Sequence, residues 1–194
     1  MYDDFDADYV IVDTNGVGLT VYDQLVQDLY DDNRGIEYSA WSCINDESMA
    51  ARSRDPNAPR VIYSIKATAA KNSEMAVMMR DCLKRGKLRL LLNESDGCNI
   101  FEKNKAFQKL TIENQTLFTG PYYQITAFVN EIVNLEYEMV GTNIRVYEVA
   151  GARKDRYSSV AYANYIASSL ERDLRRHSSD DFKYAPNCVS AVSF

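Results

Sequence analysis

The strongest constraint on this chain lies in residues 9–18, Tyr-Val-Ile-Val-Asp-Thr-Asn-Gly-Val-Gly. An apolar run of strand length stops on a carboxylate, Asp13, and two glycines lead onward into a helical pattern. A buried strand that ends in a tight turn puts its last side chain at the carboxyl edge of a sheet. Open α/β folds gather their ligands at that edge. Asp13 is therefore a candidate metal ligand, provided other groups join it.

The pattern beyond this strand is mostly that of an α/β domain. Val17, Val21, Leu25 and Leu29 recur every four residues, which predicts a helix over residues 17–31 with one apolar face. Asn33-Arg34-Gly35 would end it, and residues 36–41 read as a second strand, giving a β-α-β unit. Residues 52–60, with Pro56 and Pro59, form a polar loop, and residues 61–65 a further short strand. Ser73 suits the N-cap of a helix over residues 74–84 that carries Met75, Met78, Met79 and Leu83, with Arg85-Gly86 as its stop. Residues 88–92 read as a strand or buried edge, and residues 93–120 as a long loop or irregular insertion. Residues 122–139 are helical by pattern, residues 144–149 alternate like a strand, and residues 157–176 form a long helix. The division expected is one domain over residues 1–176 and a polar, mobile tail over residues 177–194.

Composition narrows the function classes. At 194 residues, 46% hydrophobic and 26% charged, the chain has the balance of a soluble globular domain with a core of its own. No segment approaches the roughly 18 uninterrupted apolar residues of a membrane span, so no membrane partner is expected. The acidic opening, with Asp3, Asp4, Asp6 and Asp8, lacks the apolar stretch of a signal peptide and reads as a solvated lead-in. Cys43, Cys82, Cys98 and Cys188 are scattered, as reduced thiols of a cytosolic protein would be. A net charge of −6 argues against a general nucleic-acid coat but leaves room for a local basic groove. His177 is the one histidine and sits at the start of the tail, so histidine base chemistry has little support. Asp23 reads as a solvated acid or local pair, and most of the 14 tyrosines as packing residues.

A second informative stretch, Gly-Ala-Arg-Lys-Asp-Arg-Tyr-Ser-Ser over residues 151–159, joins the last strand to the last helix. Asp155 there suits a helix N-cap or first-turn acid favoured by the helix dipole. It equally suits a second carboxylate for a divalent cation, since Mg²⁺ and Mn²⁺ prefer carboxylate oxygen and water. Arg153, Lys154 and Arg156 beside it would suit an anionic phosphate. Lys66 and Lys71, expected in loops after strands, are further phosphate contacts, whereas Arg80, Lys84, Arg85, Lys87 and Arg89 read equally as a solvated helix face.

Three ordered stretches resemble one family. Val-Ile-Val-Asp-Thr-Asn-Gly-Val-Gly-Leu-Thr-Val-Tyr-Asp-Gln-Leu (residues 10–25) looks like the middle catalytic strand and helix of the nuclease domain of tailed-phage terminase large subunits. Residues 61–90, with Ile-Tyr-Ser-Ile-Lys-Ala-Thr and Lys-Arg-Gly-Lys-Leu-Arg-Leu, are similar to its next segment. Residues 151–163 resemble its closing motif, in which a basic loop precedes the last catalytic aspartate.

The resemblance implies an α/β, ribonuclease H-like mixed sheet flanked by helices, and an endonuclease dependent on Mg²⁺ or Mn²⁺. It implies that Asp13 and Asp155 are the second and third metal-binding acids. It also implies that the substrate is concatemeric double-stranded phage DNA in the host cytoplasm. The implied partners are an ATPase domain, the small terminase subunit and the portal of the packaging motor. The family's first acid lies on an upstream strand, whereas twelve residues precede Asp13, and no G-x-x-x-x-G-K-[ST] sequence occurs. The chain is thus expected to lack the opening strands of the fold and to cleave DNA weakly or not at all alone. The alternatives are a non-catalytic prophage remnant or split-gene fragment needing an upstream partner, and a related ribonuclease H-like resolvase.

Overall fold

The computed structural model describes residues 6–177. The chain divides into two compact units, Met1–Asn72 and Ser73–Phe194. Its class is mixed α/β, with a parallel sheet and accompanying helices. Among the described residues no helix is long and apolar enough to cross a membrane. The expected tail lies outside the described residues from residue 178 onward, as do Asp3 and Asp4.

In the first unit, β1 (Val10–Asp13) runs parallel to β5 (Arg60–Ile65), which runs parallel to β4 (Ser42–Cys43), giving the order β1-β5-β4. Asp13 stands opposite Ile65 and Cys43 opposite Ile62, so the chain leaves all three strands towards the same edge. Between them come α1 (Val17–Leu25), β2 (Leu29–Asp31), β3 (Ile36–Tyr38) and α2 (Glu47–Ala50). Val12, Tyr22, Val26, Cys43, Met49 and Ile62 form the core, and the buried Tyr22 hydroxyl donates to the Met49 carbonyl at 2.7 Å.

The helix predicted over residues 17–31 ends at Leu25, and residues 36–41 do not complete a β-α-β unit. Leu29–Asp31 pairs antiparallel with Ile36–Tyr38 as a hairpin. Asn33-Arg34-Gly35 is its turn, held by the Asp31 carboxylate, which accepts from the amides of Asn33 and Arg34 at 2.9 and 3.2 Å. Arg52, in the polar loop, forks onto Asp23 through two bonds of 2.7 and 2.5 Å, so Asp23 is a local pair.

The division between units falls within α3 (Ala69–Lys84). That helix begins before the predicted cap: Ser73 lies inside it, and its hydroxyl accepts from the Ile144 amide at 2.9 Å. Gly86 follows in the left-handed region (φ 62°), as a helix stop requires. Residues 88–92 form no strand.

The second unit contains most of the differences from the sequence pattern. The predicted insertion is ordered as α4 (Glu94–Glu102), a 3-10 turn (Phe107–Lys109) and the first part of α5 (Ile112–Val133). The Asn93 side chain caps α4 through the Asp96 amide at 2.9 Å, and Thr111 caps α5 through the Asn114 amide at 3.4 Å. Pro121 sits inside α5 and donates no hydrogen bond to the preceding turn. Packing carries the helix across it. Gly97 has no side chain, and a Cβ there would stand 2.4 Å from the Tyr122 ring. Phe101 meets Phe107, Phe118 and Tyr122 with ring centroids 4.8–6.3 Å apart.

Residues 135–140 leave the predicted helix as β6 (Leu135–Val140), which pairs antiparallel with β7 (Asn143–Glu148). The loop between them is Gly141-Thr142, and Gly141 has φ 63°, the left-handed start of a two-residue hairpin turn. α6 (Asp155–His177) closes the described chain.

Candidate functional site

Asp13 ends β1 at the carboxyl edge of the parallel sheet, half-buried, where its sequence pattern predicts it. Its Oδ1 accepts from the Asn15 amide at 3.1 Å, turning the chain away from the strand. Gly18 then passes so close beneath that a Cβ would stand 1.7 Å from the Asp13 carbonyl oxygen. Only glycine fits at that point, so the second glycine of the stretch sets where the carboxylate sits.

The same edge holds a polar relay. The buried Thr14 donates its amide to the Ile65 carbonyl at 2.8 Å, extending the β1-β5 ladder by one bond. Its hydroxyl shares a 2.8 Å bond with the buried Ser64 hydroxyl. Asn45, just after β4, binds Ser64 twice: its Nδ2 donates to the Ser64 carbonyl and its Oδ1 accepts the Ser64 amide, both at 2.9 Å. The side chain of Asn45 therefore substitutes for a missing strand residue and ties β4 to β5 to the loop carrying Asp13.

Lys66, the first residue after β5, is exposed, with its Nζ 3.5 Å from Oδ2 of Asp46. Asp46 caps α2 through the amides of Ser48 and Met49. The Ser48 hydroxyl, then the Met49 amide, hold its carboxyl below the usual carboxylate range. Lys71 lies in the first turn of α3 instead of a loop, its amide donating to the Thr68 hydroxyl at 3.3 Å. Asn45, Asp46, Thr14 and Ser64 escape the sequence reading. The Asn-Asp pair ahead of Glu47 is, however, a visible helix-start signal.

Asp155 belongs to the second unit, as do Arg153, Lys154 and Arg156. Asp155 is the exposed first residue of α6, in keeping with a first-turn acid. Lys154 folds back onto β7, donating to the Val146 carbonyl at 3.3 Å and pairing with Glu148 at 3.0 Å. Arg156 donates its Nε to Gln124 at 2.8 Å and its Nη1 to the buried Glu131 at 2.7 Å. The other oxygen of Glu131 accepts the Tyr157 amide at 3.0 Å, so one carboxylate serves both Arg156 and the first turn of α6. Two of the three cations of this basic loop thus hold α6 in place. Arg153 remains exposed, with no ion pair among the described residues.

Among the described residues no three His, Cys, Asp or Glu side chains cluster closely enough to cage a metal ion. The class defined by fold and site is an α/β protein with a carboxylate and a lysine at the carboxyl edge of a parallel sheet. No protein-family model matches the chain, and no curated protein or solved structure matches it.

Proposed function

We propose that the chain is a metal-dependent DNA endonuclease domain of the terminase type, with a ribonuclease H-like fold. The observation that carries this reading is Asp13, fixed at the carboxyl end of a parallel strand by Asn15, Gly18 and the Thr14-Ser64 pair. In this reading Asp13 and Asp155 each hold Mg²⁺ or Mn²⁺. The metal, when bound, would supply an activated water for phosphodiester hydrolysis. Lys66 sits beside Asp13 at the same sheet edge and offers a cation to the DNA backbone, with Lys71 and Arg153 as further contacts. Lys154 and Arg156 contribute by holding the start of α6 against β7 and α5. The substrate is double-stranded viral DNA, and the ATPase, small subunit and portal of a packaging motor are the proposed partners.

A second reading is a non-catalytic prophage remnant or split-gene fragment that needs an upstream partner. Supercoiled plasmid incubated with Mn²⁺ separates the two. The nuclease reading expects slow nicking that Asp13→Asn abolishes. No nicking by the native chain selects the second reading, and nicking that survives Asp13→Asn removes Asp13 from the site.

A further inference from the structure

The β6-β7 hairpin has two edges, and among the described residues only one is closed. A two-residue loop makes Val140 and Asn143 exchange hydrogen bonds, as do Glu138 with Arg145 and Glu136 with Tyr147. The outward backbone groups of β7 are then those of Ile144, Val146 and Glu148. Ser73 accepts the Ile144 amide and Lys154 donates to the Val146 carbonyl, so that edge is capped by side chains. The outward groups of β6 belong to Leu135, Tyr137 and Met139. Among the described residues, no hydrogen bond reaches Tyr137 or Met139 from outside the hairpin. Both side chains are exposed, at 74% and 62%. An open edge of this kind is a template for an added strand.

The side chains along β6 select what is added. Tyr137 and Met139 share one face, and Glu136 and Glu138 the other. A second copy of β6 is disfavoured in two of its registers. In antiparallel registers that bond Tyr137 to Tyr137, or Tyr137 to Met139, of the two copies, glutamates stand directly opposite each other, which is destabilising. Glu138 pairs with Arg145 at 3.1 Å, whereas Glu136 accepts from the Tyr147 hydroxyl at 2.8 Å and has no ion pair among the described residues.

We propose that the β6 edge docks an extended segment of a partner protein in which Lys or Arg alternates with apolar residues. The basic residues lie over Glu136 and Glu138, and the apolar ones over Tyr137 and Met139. This surface does not depend on the nuclease reading. The test uses the full chain and a capped hexapeptide alternating lysine and valine, with binding followed by anisotropy and amide hydrogen exchange. Binding should protect the Tyr137 and Met139 amides. N-methylation of the valines, which removes the bonds to β6, should weaken it at least about tenfold. Replacing the peptide's lysines by glutamates should do the same, and Glu136→Lys with Glu138→Lys should reverse that preference. Equal binding of the N-methylated peptide would mean charge adhesion alone and overturn the proposal. So would protection elsewhere in the chain, or a dimer protected at these amides without peptide.

Discussion

Asp13 is held from both sides, by the Gly18 backbone beneath it and by the Asn45-Ser64-Thr14 relay beside it. Asn45→Ala removes both bonds to Ser64 and should destabilise the chain by about 2 kcal/mol in urea unfolding. An unchanged midpoint would show that the relay is dispensable. Glu131 is the charged counterpart in the second unit, 8% exposed and bonded to Arg156 and the Tyr157 amide. Glu131→Ala strands a half-exposed guanidinium and a helix-end amide, so a loss of about 2–3 kcal/mol is expected by the same measurement. Glu131→Gln should recover part of it, because an amide oxygen still accepts the Tyr157 amide. At this scale the sequence was informative where geometry is local. The strand, the carboxylate and the two glycines of residues 9–18 dictate their own arrangement. Asn45 and Glu131 act through partners 19 and 25 residues away, and no periodicity marks them.

Among the elements, legibility followed the same division. β1, β5 and α6 were visible because an apolar run or a sustained 3.6 period marks each, and β7 because its residues alternate. The hairpin of β2 and β3 was hidden because Leu29 falls four residues after Leu25 and so extends the helical stripe. β6 was hidden because Leu135 continues the stripe of Ile132, although its alternation of apolar and acidic residues is that of a strand. α4 and the start of α5 were hidden because residues 93–120 are polar, mixed in sign and only weakly periodic, whereas aromatic packing around Gly97 holds them. Ion pairs join several of these elements, and they make a pH dependence. Lys154 beside Glu148, and Lys87 beside Glu171, hold both carboxyls below the usual carboxylate range. A depressed folded-state pKa gives stability that is complete above the unfolded pKa and is lost as pH falls through the folded one. The melting temperature should therefore fall as pH drops below about 4, and less steeply in Glu148→Gln. Identical slopes in the two proteins would remove the Lys154-Glu148 pair from the acid response.

Over the whole molecule the acids outnumber the cations, for a net charge of −6, and Lys154 and Arg156 are committed to internal pairs. In the proposed reading, contacts to DNA would fall to the bound metal and to Lys66, Lys71 and Arg153. The central claim is accordingly about metal at Asp13. Titration of the full chain with Mn²⁺, followed by loss of the free-ion electron paramagnetic resonance signal, tests it most directly. Saturable binding that weakens at least about tenfold in Asp13→Asn, with an unchanged melting temperature, is the expected result. Binding of equal strength in the native and Asp13→Asn chains would contradict it.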